Sequence, residues 1–358
     1  VNARISLLPG DGVGPEVTAA AAQTIGAVAR RFGHTFELRT FPVGGAAIRE
    51  AGVPLPAATL DACRKSSAVL LGAVGDPAFD QQPPDKRPEA ALLALRRELG
   101  VYANLRPARI YRGLEAAGPL KPDLVAGVDL LIVRELTGGL YYGTPRGLDA
   151  DGAVAHNTMR YSRDEVRRIA VRAFEHARGR RRRVTSVDKA NVLETSRLWR
   201  GVVSEVAAGY PDVSLEHMYV DNCAMQLVRE PARFDVIVTE NMFGDILSDE
   251  AGAVVGSLGL LPSASLGDGP GLFEPVHGSA PDIAGRDAAN PIGAIASAAM
   301  LLRYGLALRD EADALEHAID ECVAAGVGTP DINGRMTCSQ VASAIAGRVH
   351  AISSISVP

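Results

Sequence analysis

The chain has 358 residues, enough for roughly two domains at ~150 residues each. Hydrophobic residues make up 47% and charged residues 22%, which excludes a disordered chain. The net charge of −5 argues against a polyanion binder, so no nucleic acid is expected as partner. No apolar run reaches the ~18 residues that span a bilayer, so no membrane partner is expected either. Aromatics are only 5%, so the core is expected to be aliphatic, and the 37 glycines imply tight turns or close approaches to a ligand. Cys63, Cys223, Cys322 and Cys338 are scattered without a C-x-x-C pair. That pattern, and the acidic, glycine-rich first twenty residues, point to a reduced cytoplasmic protein.

In chain order, Ile5 to Pro9 reads as a strand ending in a turn, and Pro15 to about Phe32 as a helix with proline in its first turn. Ala68 to Gly72 and Val128 to Val133 are apolar enough to be strands covered on both faces. Leu140 to Tyr161 carries a D-G turn at Asp151-Gly152 and predicts a projecting β-hairpin, either a dimer clasp or an ordinary surface hairpin. Ser162 to Arg178 is the clearest helix. Ser162 and Glu165 form a capping box, and Val166, Ile169, Ala170, Ala173, Phe174 and Ala177 form one stripe. The arginine run Arg180 to Arg183 reads as a solvated helix end. A strand Arg183 to Val187, a helix from about Glu194 to Ala207, a strand Leu215 to Val220 closed by Asp221, and a strand Phe234 to Val238 follow. The last nine residues, from His350, read as a loose tail. Strand–helix alternation makes the fold class α/β.

Gly10, Gly12 and Gly14 come close to a dinucleotide fingerprint, but Pro15 stands where the third glycine belongs, so a Rossmann site gets little support. Asp245 and Asp249 are four apart after a buried strand, on one face of an expected helix. They suit either a hard divalent cation such as Mg²⁺ or a first-turn pair favoured by the helix dipole. Asp221 is a third candidate oxygen ligand. Arg96, Arg106 and Arg134 each lie beside a strand or helix end, as a carboxylate clamp or as separate surface ion pairs. Lys189 ends a strand from Thr185 toward Asn191. It is either a structural ion-pair partner or a base, and Tyr141 either a proton donor or a hairpin residue.

Several long stretches resemble one family. They are Leu8 to Glu16, Val133 to Gly139 (VRELTGG), Ser186 to Glu194 (SVDKANVLE), Phe243 to Asp249 (FGDILSD) and Ala280 to Gly285. With them the chain is similar to the isocitrate/isopropylmalate dehydrogenase family of β-decarboxylating dehydrogenases. The resemblance covers nearly the whole chain. It implies an α/β two-domain fold that is not Rossmann. Residues 1–101 and 256–358 would form a discontinuous first domain with the cofactor loop. Residues 102–255 would form a second, with the dimer interface and an arm at about 140–161. It implies a homodimer with shared active sites, NAD, and Mg²⁺ or Mn²⁺. Arg96, Arg106 and Arg134 would hold substrate carboxylates. Asp245 and Asp249, with Asp221 from the neighbouring subunit, would hold the metal, and Asp221 would also face the substrate. Tyr141 and the neighbour's Lys189 would handle protons. NAD would lie along Glu274, His277, Gly278, Ser279, Ala280, Asp282 and Ile283, with Asn290 near the adenine and Glu89 near the nicotinamide. Asp282 matches the acidic residue that takes the adenosine ribose hydroxyls, which favours NAD over NADP.

Where isocitrate enzymes carry polar residues, this chain has Ala90 and Leu92, an apolar wall that suits an isopropyl group and disfavours a carboxylate. The implied reaction is oxidative decarboxylation of (2R,3S)-3-isopropylmalate to 4-methyl-2-oxopentanoate, a step of leucine biosynthesis. Ala90-Ala91 and Gly100-Val101 depart from the family pattern. Another 3-alkylmalate, D-malate, tartrate or homoisocitrate therefore stays open. A non-catalytic regulatory or RNA-binding member is the alternative of a different class.

Overall fold

A computed structural model describes residues 1–351 of the chain. The chain folds into two compact units. One contains residues 1–101, 111–118 and the chain from Gly256 onward. The other contains residues 102–110 and 119–255.

The first unit is built on strands ordered Thr35–Thr40, Asn2–Gly10, Ala68–Ala73, Gly271–Pro275 and Pro262–Gly267, parallel except for the last pair. Ala68–Ala73 is buried at every residue, as a strand covered on both faces must be. The helix Gly14–Phe32 has Pro15 in its first turn and ends on Gly33 in the left-handed region. It buries Val17, Ala21, Ile25 and Val28 and packs on the helix Cys338–Ala351. The helix Ile292–Met300 is apolar but for Ser297, whose hydroxyl donates to the Gly293 carbonyl, and is buried at every residue. His350 and Ala351 complete the helix from Cys338 rather than opening a loose tail. Buried Val349 and its neighbours Ile345 and Ala346 extend that helix's apolar stripe to its end. The remainder of the expected tail, 352–358, lies outside the described residues.

The second unit has strands ordered Val101–Arg109, Asp129–Glu135, Val236–Thr239, Arg183–Asp188 and Ser214–Tyr219, parallel after the first pair. Ser162 caps the helix Arg163–Arg178 with Glu165 in a reciprocal capping box. The helix Glu194–Ala207 buries Trp199, Val202, Val203 and Val206. Strands Arg146–Leu148 and Ala155–Asn157 pair as an antiparallel hairpin, exposed along both strands.

Three expectations change here. Arg180 and Arg181 are not a solvated helix end: the helix stops at Arg178. Arg180 donates to Asp235 at 2.9 Å, a carboxylate with no exposure, and Arg181 donates to the carbonyls of Asp129 and Phe234. A buried carboxylate needs a charged partner, and the arginines supply it. Asp221 does not close a strand. Pairing ends at Tyr219, and Asp221 stands in the first turn of the helix Val220–Arg229, where the dipole favours an acid. The strand before Lys189 stops at Asp188, so Lys189 opens the following loop.

Candidate active site

The second unit gathers charge at the carboxyl ends of its parallel strands, where open α/β sheets commonly bind ligands. Arg134 is the penultimate residue of Asp129–Glu135, in register with Thr239 on one side and Asn104 on the other. Asn104 and Arg106 are two apart on one strand and share a face, so Arg106 Nε donates to Asn104 Oδ1 at 2.8 Å. The helix Asn241–Val255 begins two residues past the strand Val236–Thr239 and carries Asp245 and Asp249 one turn apart.

Arg106 Nη1 lies 3.4 Å from Asp245 and 3.5 Å from Asp249. It therefore supplies the positive charge that two carboxylates on one helix face require. Arg134, 1% exposed, pairs with Asp245 Oδ1. Tyr141 OH donates to Asp245 Oδ2 at 2.8 Å, and the Arg134 guanidinium sits 5.7 Å from the Tyr141 ring centroid. Burial, then the bond to Asp245, raises the Tyr141 pKa, so its phenol keeps its proton. Arg106, Arg134, Tyr141, Asp245 and Asp249 are thus brought together. The arginines are buried, not surface ion-pair partners.

Lys189 and Asp221 pair with each other instead, Nζ to Oδ1 at 2.9 Å, and Lys189 holds the Asp221 carboxyl below its ordinary range. Lys189 is placed by its neighbours. Asp188 is buried against Arg200, and the Lys189 amide donates to Ser196 Oγ. Among the described residues, no third acid, histidine or thiol of the same chain completes a three-ligand set with Asp245 and Asp249. The donor chemistry still fits a hard divalent ion: two oxygen donors on one face, with Asp249 58% exposed.

In the first unit, the helix Glu89–Glu98 sets Glu89, Leu92 and Arg96 on one stripe. Glu89 is exposed, Leu92 partly so and Arg96 buried. Arg96 Nη2 donates to Glu274 at 3.0 Å, while its Nε is buried without a hydrogen-bond partner. That atom is a donor a carboxylate would satisfy.

The stretch from Glu274 to Asn290 is fixed by main-chain contacts. Val13 N donates to the Ser279 carbonyl at 2.7 Å. Gly12 has φ +57, and a Cβ there would collide with that carbonyl unless the loop shifted, so this position favours glycine. His277 Nδ1 bonds the Gly278 carbonyl at 2.9 Å, leaving Nε2 buried and unpartnered. Burial lowers the His277 pKa, so the ring is neutral and Nε2 is an unused acceptor. An orphaned acceptor suits a nucleotide, which brings amino and hydroxyl donors. Ala280 has φ +40, and Asp282 is exposed. Asn290 is buried, donating to Asp331 and accepting from Ile292 N, so its side chain caps the following helix.

Behind the charged centre stand buried polar residues that no sequence motif singles out. Glu135 accepts from the Thr137 and Gly138 amides. Glu240 accepts from the Met242 and Phe243 amides and caps the Asp245 helix. Tyr161 OH accepts from the Asn241 amide at 3.0 Å. Burial lifts the pKa of both glutamates and of Tyr161. The available signal was an acid closing each of two apolar strand patterns, Leu130 to Glu135 and Val236 to Glu240.

The chain has counterparts among known proteins. The chain is 60% identical over 334 residues to the 3-isopropylmalate dehydrogenase of Geobacillus kaustophilus, covering 92% of this chain and 90% of that one. It is 60% identical over 341 residues to the 3-isopropylmalate dehydrogenase of Nitratidesulfovibrio vulgaris, covering 94% and 96%. Among solved structures, the isocitrate dehydrogenase of Methylococcus capsulatus is 38% identical, with a TM-score of 0.86 over 97% of this chain and 99% of that one. A β-decarboxylating dehydrogenase of Thermococcus kodakarensis is 39% identical, with a TM-score of 0.80 over 98% and 96%. A family model described as isocitrate/isopropylmalate dehydrogenase matches residues 4–345. A charged centre of two arginines, two aspartates and a tyrosine at the strand ends, in a chain so matched along its length, places this protein in the isocitrate/isopropylmalate dehydrogenase family.

Proposed function

We propose that the chain is an NAD-dependent enzyme that oxidises and decarboxylates (2R,3S)-3-isopropylmalate to 4-methyl-2-oxopentanoate. The observation that carries this reading is the mutual arrangement of Arg106, Arg134, Tyr141, Asp245 and Asp249. Such a centre suits a substrate with two carboxylates and a hydroxyl to be deprotonated.

Arg96, Arg106 and Arg134 hold the carboxylates through planar forks. Leu92, three residues after Glu89 and four before Arg96, offers the 3-alkyl group an apolar wall. Asp245 and Asp249 of one subunit, with Asp221 of its neighbour, hold Mg²⁺ or Mn²⁺. When bound, the cation supplies Lewis-acid polarisation and NAD accepts the hydride. Lys189 of the neighbour takes the C2 hydroxyl proton as C2 gives up its hydride. C3 then loses CO₂, and Tyr141, kept protonated by its surroundings, donates a proton to C3. Along the cofactor, Glu89 faces the nicotinamide. Glu274, His277, Gly278, Ser279, Ala280 and Ile283 line the dinucleotide, with Asn290 at its adenine end. Asp282 takes the ribose hydroxyls and repels a 2′-phosphate.

A homodimer with shared sites follows from the same roles. Its support is the Lys189–Asp221 pair and the lack of a third ligand beside Asp245 and Asp249 among the described residues. Exposed Met225, Val228 and Ile246 on the two helices that bear Asp221 and Asp245 add to it, as do exposed Leu148 and Val154 of the hairpin. The four buried free cysteines suit a reducing cytoplasm. No helix among the described residues is long and apolar enough to cross a membrane.

The test is NADH production across a panel of 3-alkylmalates, D-malate, tartrate, homoisocitrate and isocitrate with Mg²⁺. The isopropyl substrate is expected to give the highest kcat/KM. A preference for isocitrate or for unsubstituted malate would overturn the assignment of Leu92.

A further inference from the structure

The Arg134 side chain is held in place from two directions, and neither contact belongs to the charged centre itself. From one side, the Asn241 amide oxygen accepts from Nε at 3.1 Å and from Nη2 at 2.8 Å. The amide's orientation is not free. Its nitrogen donates to the carbonyls of Leu136 and Gly138, both at 3.1 Å, so only one flip satisfies all four bonds. The Asn241 main chain is fixed too, because its N–H donates to buried Tyr161 OH. From the other side, Gly244 lies against the arginine's stem. A Cβ there would stand 2.6 Å from Arg134 Cγ and 2.8 Å from Cβ. Glycine inside a helix costs stability relative to alanine, so its presence one turn into Asn241–Val255 answers a packing demand.

We infer that Asn241 and Gly244 are positioning residues that set the Arg134 guanidinium for a substrate carboxylate. Asn241 does so as a neutral acceptor. An aspartate would bind the same two donors more strongly but cancel the charge meant for the substrate, and would face two carbonyl oxygens with a second oxygen. The amide orients the guanidinium without setting a second negative charge beside it, in addition to Asp245. Its nitrogen also ties the start of the Asp245 helix to the turn that leads to Tyr141. Asn241 thus fixes the arginine and the turn to one helix start. Gly244 touches none of these hydrogen bonds and acts only through space.

This inference rests on Arg134 as a carboxylate-binding residue, and the experiment separates the two. Asn241→Asp, Gly244→Ala and Arg134→Lys are compared with wild type as full-length protein. Binding of 3-isopropylmalate is measured by calorimetry, NADH binding by fluorescence, and KM and kcat at saturating NAD and Mg²⁺. Asn241→Asp and Gly244→Ala are each expected to weaken substrate binding by about ten- to a hundredfold. KM should rise more than kcat falls, and NADH affinity should stay within about twofold. If Asn241→Asp fails to fold, Gly244→Ala carries the test, because alanine favours the helix and removes no hydrogen bond. Substrate affinity unchanged in either folded variant, or an equal loss of NADH affinity, overturns the positioning role. Unchanged affinity in Arg134→Lys overturns instead the assignment of Arg134.

Discussion

The two units build their functional surfaces from different materials. Around the Asn241–Val255 helix, charged side chains hold one another: Arg106 spans Asp245 and Asp249, and Arg134 and Tyr141 share Asp245. Between Glu274 and Asn290, main-chain geometry dominates: the Ser279 carbonyl meets the Val13 amide, Gly12 leaves room, and Ala280 adopts positive φ. On the proposed roles, charge suits a region that binds a diacid and moves protons. On the same proposal, backbone atoms suit a region that takes a dinucleotide, where close approach matters more than charge. Substitutions should therefore fail differently: altered charge changes chemistry in one unit, altered backbone room changes cofactor affinity in the other.

The largest expected effect is at Lys189. Lys189→Met should cut turnover by about 10²–10⁴-fold while leaving NADH affinity nearly intact, checked by steady-state kinetics and NADH fluorescence. Equal losses of rate and of NADH affinity would break the division of labour. Next is a mixture of two inactive variants, Lys189→Ala and Asp245→Asn, after exchange of subunits in the proposed dimer. A hybrid would hold one site with both residues intact, so activity should return to roughly a quarter of wild type if exchange is random and sites act independently. A mixture as inactive as its parents would mean that Lys189 serves its own chain.

Smaller, and confined to the other unit, is Gly12→Ala. The new Cβ would push on the Ser279 carbonyl from a left-handed backbone, so KM for NAD should rise about tenfold with substrate binding preserved. A greater loss of substrate than of NAD affinity would contradict the comparison. Asp282→Gly should relax the NAD over NADP preference by about tenfold, read as the ratio of kcat/KM values. No change in that ratio would remove Asp282 from the ribose.

The smallest effect tests the stability of the second unit alone. Burial, then Arg172 and Arg180, lowers the His176 pKa from 6.5 to about 4. Between these values the unfolded chain binds more protons than the folded one, so stability is full above pH 6.5 and falls with acidification through the window. The loss is on the order of 1–3 kcal/mol. His176→Gln should make the fall in melting temperature between pH 7 and 4 shallower. An unchanged slope would show that His176 does not titrate in the fold.

Local rules made much of this molecule legible in advance. Ser162 and Glu165 announce a helix start, and the stripe from Val166 to Ala177 announces its buried face, because capping and periodicity act over one or two turns. The helix Glu194–Ala207 and the buried strand at Ala68 are of the same kind. Asp245 and Asp249 share a face because 3.6 residues make a turn. What filled the space between them was not local. Arg106 reaches it from a strand some 140 residues earlier, a partner that the spacing of the two acids could not name. The arginine run misled for the same reason: its partners, Asp129, Phe234 and Asp235, lie about fifty residues away on either side.

By itself, the sequence determined the α/β alternation, the capping box at Ser162, the apolar side chain at Leu92 and the inventory of acids, arginines, Lys189 and Tyr141. Tertiary structure alone decided which of these meet. It set Arg134 between Asn241 and Asp245, joined Lys189 to Asp221, and buried Glu135 and Glu240 behind the site. The physical reason is range. Propensity and capping are fixed by neighbours in the chain, whereas a buried charge is satisfied only by groups that strand order and register bring to it from afar.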